Sequence, residues 1–142
     1  MTTGREVSIL LVEDDEVDQM AMKRAFEKLR ISNPLAVAGD GVEALEYLRS
    51  INGGEMRRPY LIILDLNMPR MNGHEFLKEI RADEYLKDSV VFILTTSSDD
   101  KDLRQAYGLN VAGYIVKSSL AGGFANAVDM MRHYWNVVEL PA

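Results

Sequence analysis

Five short apolar runs, each followed by a stretch of helical periodicity, predict an α/β domain: a doubly wound sheet of five parallel strands in five βα units. Three observations carry this expectation. The runs SILLV, LIIL and VFIL are continuously apolar, the pattern of strands buried on both faces rather than on one. Strand-like and helix-like segments alternate along the chain without a linker, repeat or low-complexity tract. Acids follow two of the runs directly and a lysine follows another, at the strand ends where open α/β sheets form ligand sites.

The elements follow in order. Val7–Val12 reads as the first strand, and Val17–Leu29 as a helix with Ala21, Met22, Ala25, Phe26 and Leu29 at helical spacing. Pro34–Ala38 is a weaker second strand; Asp40-Gly41 turns the chain into a helix over Val42–Arg49. Residues Ile51–Pro59 form a polar, glycine-bearing loop, longer than a tight αβ connection usually is. Tyr60–Leu64 is the third strand, and Asn72–Arg81 a helix that turns Phe76, Leu77 and Ile80 inward. Ser89–Thr95 and Gly113–Val116 are the fourth and fifth strands, separated by a helix over Asp99–Tyr107. The last helix is expected from Leu120 to Val137, with Leu120, Phe124, Ala127, Val128, Met131 and Trp135 as its apolar stripe. Right-handed crossovers then place helices on both faces of the sheet. The expected division is one domain over residues 6–137 and a short tail over 138–142.

Composition excludes several classes. A net charge of −6 and no basic run argue against a nucleic-acid partner. With no cysteine there is no disulfide, thiolate nucleophile or cysteine zinc site. The apolar run near the N-terminus is too short for a signal peptide and leads into acids. No segment approaches the ~20 apolar residues of a membrane helix. The expectation is a soluble, cytoplasmic protein with no membrane association.

The chemistry lies in Glu13-Asp14-Asp15 after the first strand, Asp65 after the third and Lys117 after the fifth. Acids gathered in one crevice repel one another unless a cation sits among them. Oxygen donors of this kind suit Mg²⁺, which takes one or two carboxylates and keeps several waters. A metal-assisted phosphate site is expected, with one carboxylate left to act as a nucleophile. Asp15 reads as helix-start electrostatics; Asp18, in the first turn of the first helix, is within reach of the crevice but reads first as stabilising the helix dipole. His74 and His133 read as exposed surface.

The spacing of Glu13-Asp14, Asp65-Leu66-Asn67-Met68-Pro69, Thr95 and Lys117 resembles the receiver domain of two-component response regulators (CheY-like), over nearly the whole chain. The resemblance implies a flavodoxin-like fold with strand order 2-1-3-4-5 and phosphotransfer from a sensor histidine kinase onto Asp65. It implies a Mg²⁺ site of Glu13 (directly or through water), Asp14, Asp65 and the backbone carbonyl of Asn67. Around the phosphoryl group it implies Thr95, Thr96 and Lys117, with Tyr114 as the aromatic that follows Thr95 inward. Such a domain is a signalling phosphoacceptor that assists its own phosphorylation and dephosphorylation rather than an enzyme. The output face would be helix four, strand five and helix five, which also serves some receivers as a homodimer interface.

The chain departs from the pattern in places. Lys117 is followed by Ser118 where receivers usually carry a proline in a cis bond, and a cis bond before another residue costs about 2.5–4 kcal/mol. The loop there is expected to differ. Asn110-Val111 stands where many receivers have Gly-Ala, and asparagine is the next-best left-handed cap. Thr96 is larger than the usual residue and would narrow access to the phosphoryl group. The last residues and the loop before the third strand resemble single-domain receivers paired with phytochrome-type photoreceptor kinases, so output is expected through association. A haloacid-dehalogenase-type phosphatase also uses a strand-end aspartate with Mg²⁺, but with an acid two residues later, where this chain has Asn67. A receiver serving as phosphate sink or relay is a further alternative.

Overall fold

The structure is a computed structural model, and it describes residues 6–51, 56–120 and 123–142. The expected glycine-bearing loop therefore falls partly outside the described residues. Strands β1 (Ser8–Val12), β2 (Leu35–Ala38), β3 (Tyr60–Leu64), β4 (Val90–Thr95) and β5 (Gly113–Val116) form one sheet in the order β2-β1-β3-β4-β5. Every pairing is parallel. Helices α1 (Glu16–Lys28), α2 (Gly41–Arg49), α3 (Gly73–Ala82), α4 (Asp100–Gly108) and α5 (Phe124–Val137) connect and follow the strands. This is the doubly wound parallel sheet that the alternating runs predict, in the strand order that the resemblance implies.

The sheet separates two apolar layers. Alternate residues of the central strands, such as Leu10, Ile62 and Ile93, point toward α2, α3 and α4 and meet Leu45, Phe76 and Leu77. Their neighbours Ile9, Ile63 and Leu94 point the other way, onto Met22 and Phe26 of α1 and Met131 and Trp135 of α5. Both faces of β3 are therefore covered, which explains why Leu61–Leu64 are all aliphatic; the hydroxyl of buried Tyr60 is paired with Ser89 Oγ at 2.8 Å.

Local chemistry sets the helix starts. Asp15, Asp40, Asn72 and Asp99 stand at the N-caps of α1 to α4, each accepting from a backbone N–H of the first turn. Asn72 and Glu75 close a reciprocal capping box. Asn110, expected to cap α4 in left-handed geometry, has φ +63°.

The last helix corrects the expectation. It starts at Phe124 rather than Leu120, because Gly123 has φ +77°, outside the α region. Before it, Lys117–Ser119 form a single 3₁₀ turn, and Leu120 packs on the α1 and α5 side from outside any helix. The Lys117–Ser118 peptide is trans; among the described residues the one cis bond is Arg58–Pro59.

Register brings the site together. Val12 pairs with Leu64, so Glu13 and Asp65 leave adjacent strands at the same level. The Asp65 N–H donates to Val12 O at 3.0 Å and fixes that level. Thr95 pairs with Val116, which puts Thr95 beside the residue that precedes Lys117. Gly73 closes the loop behind Asp65: a Cβ there would lie 2.6 Å from the Asp65 carbonyl oxygen and 2.7 Å from Leu66 Cα. Backbone cannot yield as a side chain can, so only glycine lets α3 approach this closely.

Gly73→Ala should therefore lower the unfolding free energy by about 1–3 kcal/mol, the usual range for overpacking. Gly108→Ala, where nothing lies within 4 Å of the added carbon, should be neutral or stabilising. Urea unfolding of the two variants checks the contrast, and equal losses would count against the close approach.

Candidate functional site

Glu13, Asp14 and Asp65 each present a carboxylate oxygen within 4.8 Å of the others. Glu13 and Asp65 are buried, and Asp14 is exposed at the rim. From β5, Lys117 enters the same crevice with its side chain 9% exposed. Its Nζ donates to Glu13 Oε1 at 2.6 Å and to Asp18 Oδ2 at 2.7 Å, and lies 3.5 Å from Asp65 Oδ2. The ammonium is thus a built-in counter-ion for an acid cluster. Neither of its two short bonds is to Asp65.

Electrostatics follow from this packing. Burial pushes the Glu13 carboxyl up to about 7, with the charge of Asp65 adding to the rise and the Lys117 hydrogen bond opposing it. Burial alone would lower the Lys117 pKa, but the hydrogen bonds to Asp18 and Glu13 and the charge of Asp65 raise it above its ordinary value. The lysine stays charged.

The remaining expected residues fall in two groups. Thr95 is fully buried at the end of β4, with the Ser97 N–H 3.4 Å from its Oγ1. Tyr114 is half-buried against the α2–α4 layer, and its hydroxyl donates to the Ser97 carbonyl at 3.0 Å. Thr96 and Asn67 are exposed on the loops after β4 and β3, and the Asn67 N–H lies 3.5 Å from Asp65 Oδ1. Asp15 caps α1, in accord with a helix-start role.

Two residues read as bystanders are not. Of the two roles open to Asp18, the structure shows reach into the crevice rather than the helix dipole alone: its carboxylate holds Lys117. Its place depends on the entry angle of α1, fixed by the Asp15 cap and by Gln19 Nε2 donating to Glu13 O at 2.6 Å. No local spacing encodes that angle. His74 was expected at the surface; its side chain is instead only 15% exposed, with Nε2 3.1 Å from Asp102 Oδ1. Asp102 also accepts from Ser97 Oγ at 2.6 Å, and these two hydrogen bonds hold its carboxyl below the usual range. His74, Asp102 and Ser97 thereby tie the first turns of α3 and α4 to the loop that follows Thr95. His133 is exposed as expected.

The donor set bears on a metal. Three carboxylates and no nitrogen or sulfur donor form a hard oxygen site, which suits Mg²⁺ or Mn²⁺ rather than zinc or copper. An exposed Asp14 beside buried Glu13 and Asp65 leaves room for the waters such an ion retains.

Residues 9–129 match the response regulator receiver domain family, and the chain belongs to it. Within that family it resembles phytochrome-associated response regulators. It is 35% identical to response regulator Rcp1 of Synechocystis sp. over 94% of this chain and 92% of that protein. It is 39% identical to a probable methanogenesis regulatory protein, FilR2, of Methanothrix harundinacea over 89% of this chain and 82% of the relative. Among solved structures it superposes on the phosphorylated cyanobacterial phytochrome response regulator RcpA with a TM-score of 0.86 at 33% identity, covering 98% of this chain and 100% of that one. The Mn²⁺-bound form of Rcp1 gives a TM-score of 0.84 at 33% identity, covering 97% and 100%.

The raised Glu13 carboxyl has a measurable sign. Without a divalent cation, the folded state keeps a proton that the unfolded chain releases above its ordinary pKa of 4.5. The Glu13 contribution to stability is therefore present below pH 4.5 and is lost as pH rises to about 7. Its slope is at most about 1.4 kcal/mol per pH unit. Chemical denaturation across that window should show the decline in wild type and a flatter profile in Glu13→Gln; identical slopes would contradict the burial of that charge.

Proposed function

We propose that this chain accepts a phosphoryl group on Asp65 from a phosphohistidine of a sensor histidine kinase, with Mg²⁺ held by Glu13, Asp14, Asp65 and the Asn67 carbonyl. The observation that carries the reading is a buried strand-end aspartate flanked by two more acids and a lysine ammonium. The relatives support a phosphorelay role, since RcpA is described in its phosphorylated form and Rcp1 in a Mn²⁺-bound form.

In the transfer, an Asp65 carboxylate oxygen forms a bond to phosphorus as the phosphorus–nitrogen bond to the kinase histidine breaks. The imidazole keeps the bonding pair. Mg²⁺ would supply charge to offset the repulsion between the carboxylate and the phosphoryl oxygens. Lys117 offers a cation from the turn after β5 and Thr95 a hydroxyl from the end of β4, both matched to the equatorial oxygens of a loose transition state. Thr96, exposed beside Thr95, borders the approach. The chain is a phosphoacceptor and not a turnover enzyme on this reading. The haloacid-dehalogenase alternative lacks its second acid, because Asn67 occupies that position.

The signal would leave through α4, β5 and α5. Tyr114 joins β5 to the Ser97 carbonyl, so a shift of Thr95 toward phosphate reaches Tyr114 through one short loop. Leu103 and Tyr107 on α4 are apolar and exposed, a composition suited to an effector or to a second copy. A phytochrome-type kinase is the proposed phosphoryl source, from the likeness to Rcp1 and RcpA. On this reading the protein works in the cytoplasm, beside the kinase proposed as its phosphoryl donor. No helix among the described residues is long and apolar enough to cross a membrane.

Asp65→Asn should abolish acid-labile labelling by a phosphodonor in Mg²⁺, while wild type takes one phosphoryl group per chain. Continued stoichiometric labelling of the variant would sink the assignment, and steady turnover of a phosphoester by wild type would favour a phosphatase. For the metal, Asp14→Ala should weaken Mg²⁺ binding by at least about tenfold, as for loss of a direct charged ligand. Asp15→Ala should cost only the α1 cap, about 1 kcal/mol of stability. Calorimetric titration and denaturation of both variants check the separation.

A further inference from the structure

We infer that Asp18 is a positioning residue for Lys117, holding the ammonium back from Asp65 so that a phosphoryl group must compete for it. This rests on the proposed phosphorylation of Asp65. Lys117 makes its two short contacts with Glu13 and Asp18, and its 3.5 Å distance to Asp65 is too long for a good hydrogen bond. The lysine's resting place is therefore set by Glu13 and Asp18.

These two partners differ in what happens when the lysine leaves. Glu13 is buried and belongs to the group of acids able to hold a metal. Stripped of Lys117 it would be an unpaired buried charge unless it picked up a proton or a cation. Asp18 lies outside that group, and its side chain is 26% exposed, so water can replace the lysine there. With a metal engaged by Glu13, Asp18 becomes the principal carboxylate holding Lys117 away from the reaction. It cannot follow the lysine inward, because the Asp15 cap and the Gln19–Glu13 hydrogen bond fix the first turn of α1. On the other side, Lys117 opens a single 3₁₀ turn with no side-chain cap. The side-chain pairing, more than the loop, determines where the ammonium sits.

The consequence is a restraint on phosphoryl capture. Each phosphorylation exchanges the Lys117–Asp18 bond for a Lys117–phosphoryl bond, so weakening the former should favour the latter. The test uses the full chain at saturating Mg²⁺ with beryllofluoride as the phosphoryl probe. Asp18→Asn should tighten beryllofluoride binding by about tenfold, the difference between a charged and a neutral acceptor. Asp18→Glu should restore the wild-type affinity. In a Lys117→Ala background Asp18→Asn should change nothing, since the effect travels through the lysine.

A second readout needs no phosphoryl probe. In the metal-free protein, the Lys117 ammonium protons should exchange with solvent severalfold faster in Asp18→Asn than in wild type, followed by ¹H–¹⁵N NMR. Weaker beryllofluoride binding by Asp18→Asn, an equal change in the Lys117→Ala background, or unaltered ammonium exchange would each overturn the restraint. Failure of the wild-type chain to bind beryllofluoride at all would instead overturn the phosphorylation reading beneath it.

Discussion

The charge balance between Lys117 and the acids around it is the interaction on which this structure depends. Two unit charges 4 Å apart repel by about 4 kcal/mol at an effective dielectric of about 20. Three carboxylates within 4.8 Å would therefore cost a large share of a domain's 5–15 kcal/mol of net stability, as an order of magnitude. The fold meets this cost by burying one ammonium among them and by leaving one acid, Asp14, in contact with water. The carboxyl of Glu13, deepest in the crevice, rises toward neutrality for the same reason. The site is poised for a cation because its own cation is an incomplete substitute: it bonds Glu13 closely and stands off from Asp65.

That balance reaches the surface by short steps. Lys117 comes from β5 and Thr95 from β4, which pair directly through Thr95 and Val116. The loop after Thr95 is held by Tyr114 at the Ser97 carbonyl and by Asp102 at the Ser97 hydroxyl, with His74 on the far side of Asp102. Any movement of Thr95 must therefore be accommodated by β5, by the start of α4 and by the start of α3 together. Gly73 leaves little slack in the last of these, because its backbone lies against Asp65 and Leu66. A charge added at Asp65 thus meets a tightly packed surround on three sides, of which α4 carries the exposed apolar residues Leu103 and Tyr107.

The strands were legible in the sequence because their apolar runs are short, continuous and bounded by acids or turn residues. Right-handed crossovers place helices on both faces but allow more than one strand order, so the order 2-1-3-4-5 came from the resemblance to receivers rather than from the pattern of runs. Helix starts were legible from Asp, Asn and their first-turn partners. The start of α5 was not, because Leu120 fits the apolar stripe although Gly123 breaks the helix before it can be reached. The partners of Asp18 and His74 are not legible in the sequence for a common reason. These partners, Lys117 and Asp102, lie 99 and 28 residues away, and only the fold, which sets α1 beside the turn after β5 and α3 beside α4, brings them together. Periodicity says which face of a helix is buried, and it says nothing about which polar group a rim residue will find.

The central claim is that Lys117 competes with a metal for Glu13 and Asp65 and yet favours a phosphoryl group. Replacing it by methionine keeps much of its length and removes the charge, which makes the claim directly measurable. Calorimetric titration of Lys117→Met with Mg²⁺, and then with beryllofluoride at saturating Mg²⁺, should give changes of opposite sign: tighter metal binding and weaker beryllofluoride binding than wild type. Changes of the same sign, or no change in either, would contradict the account.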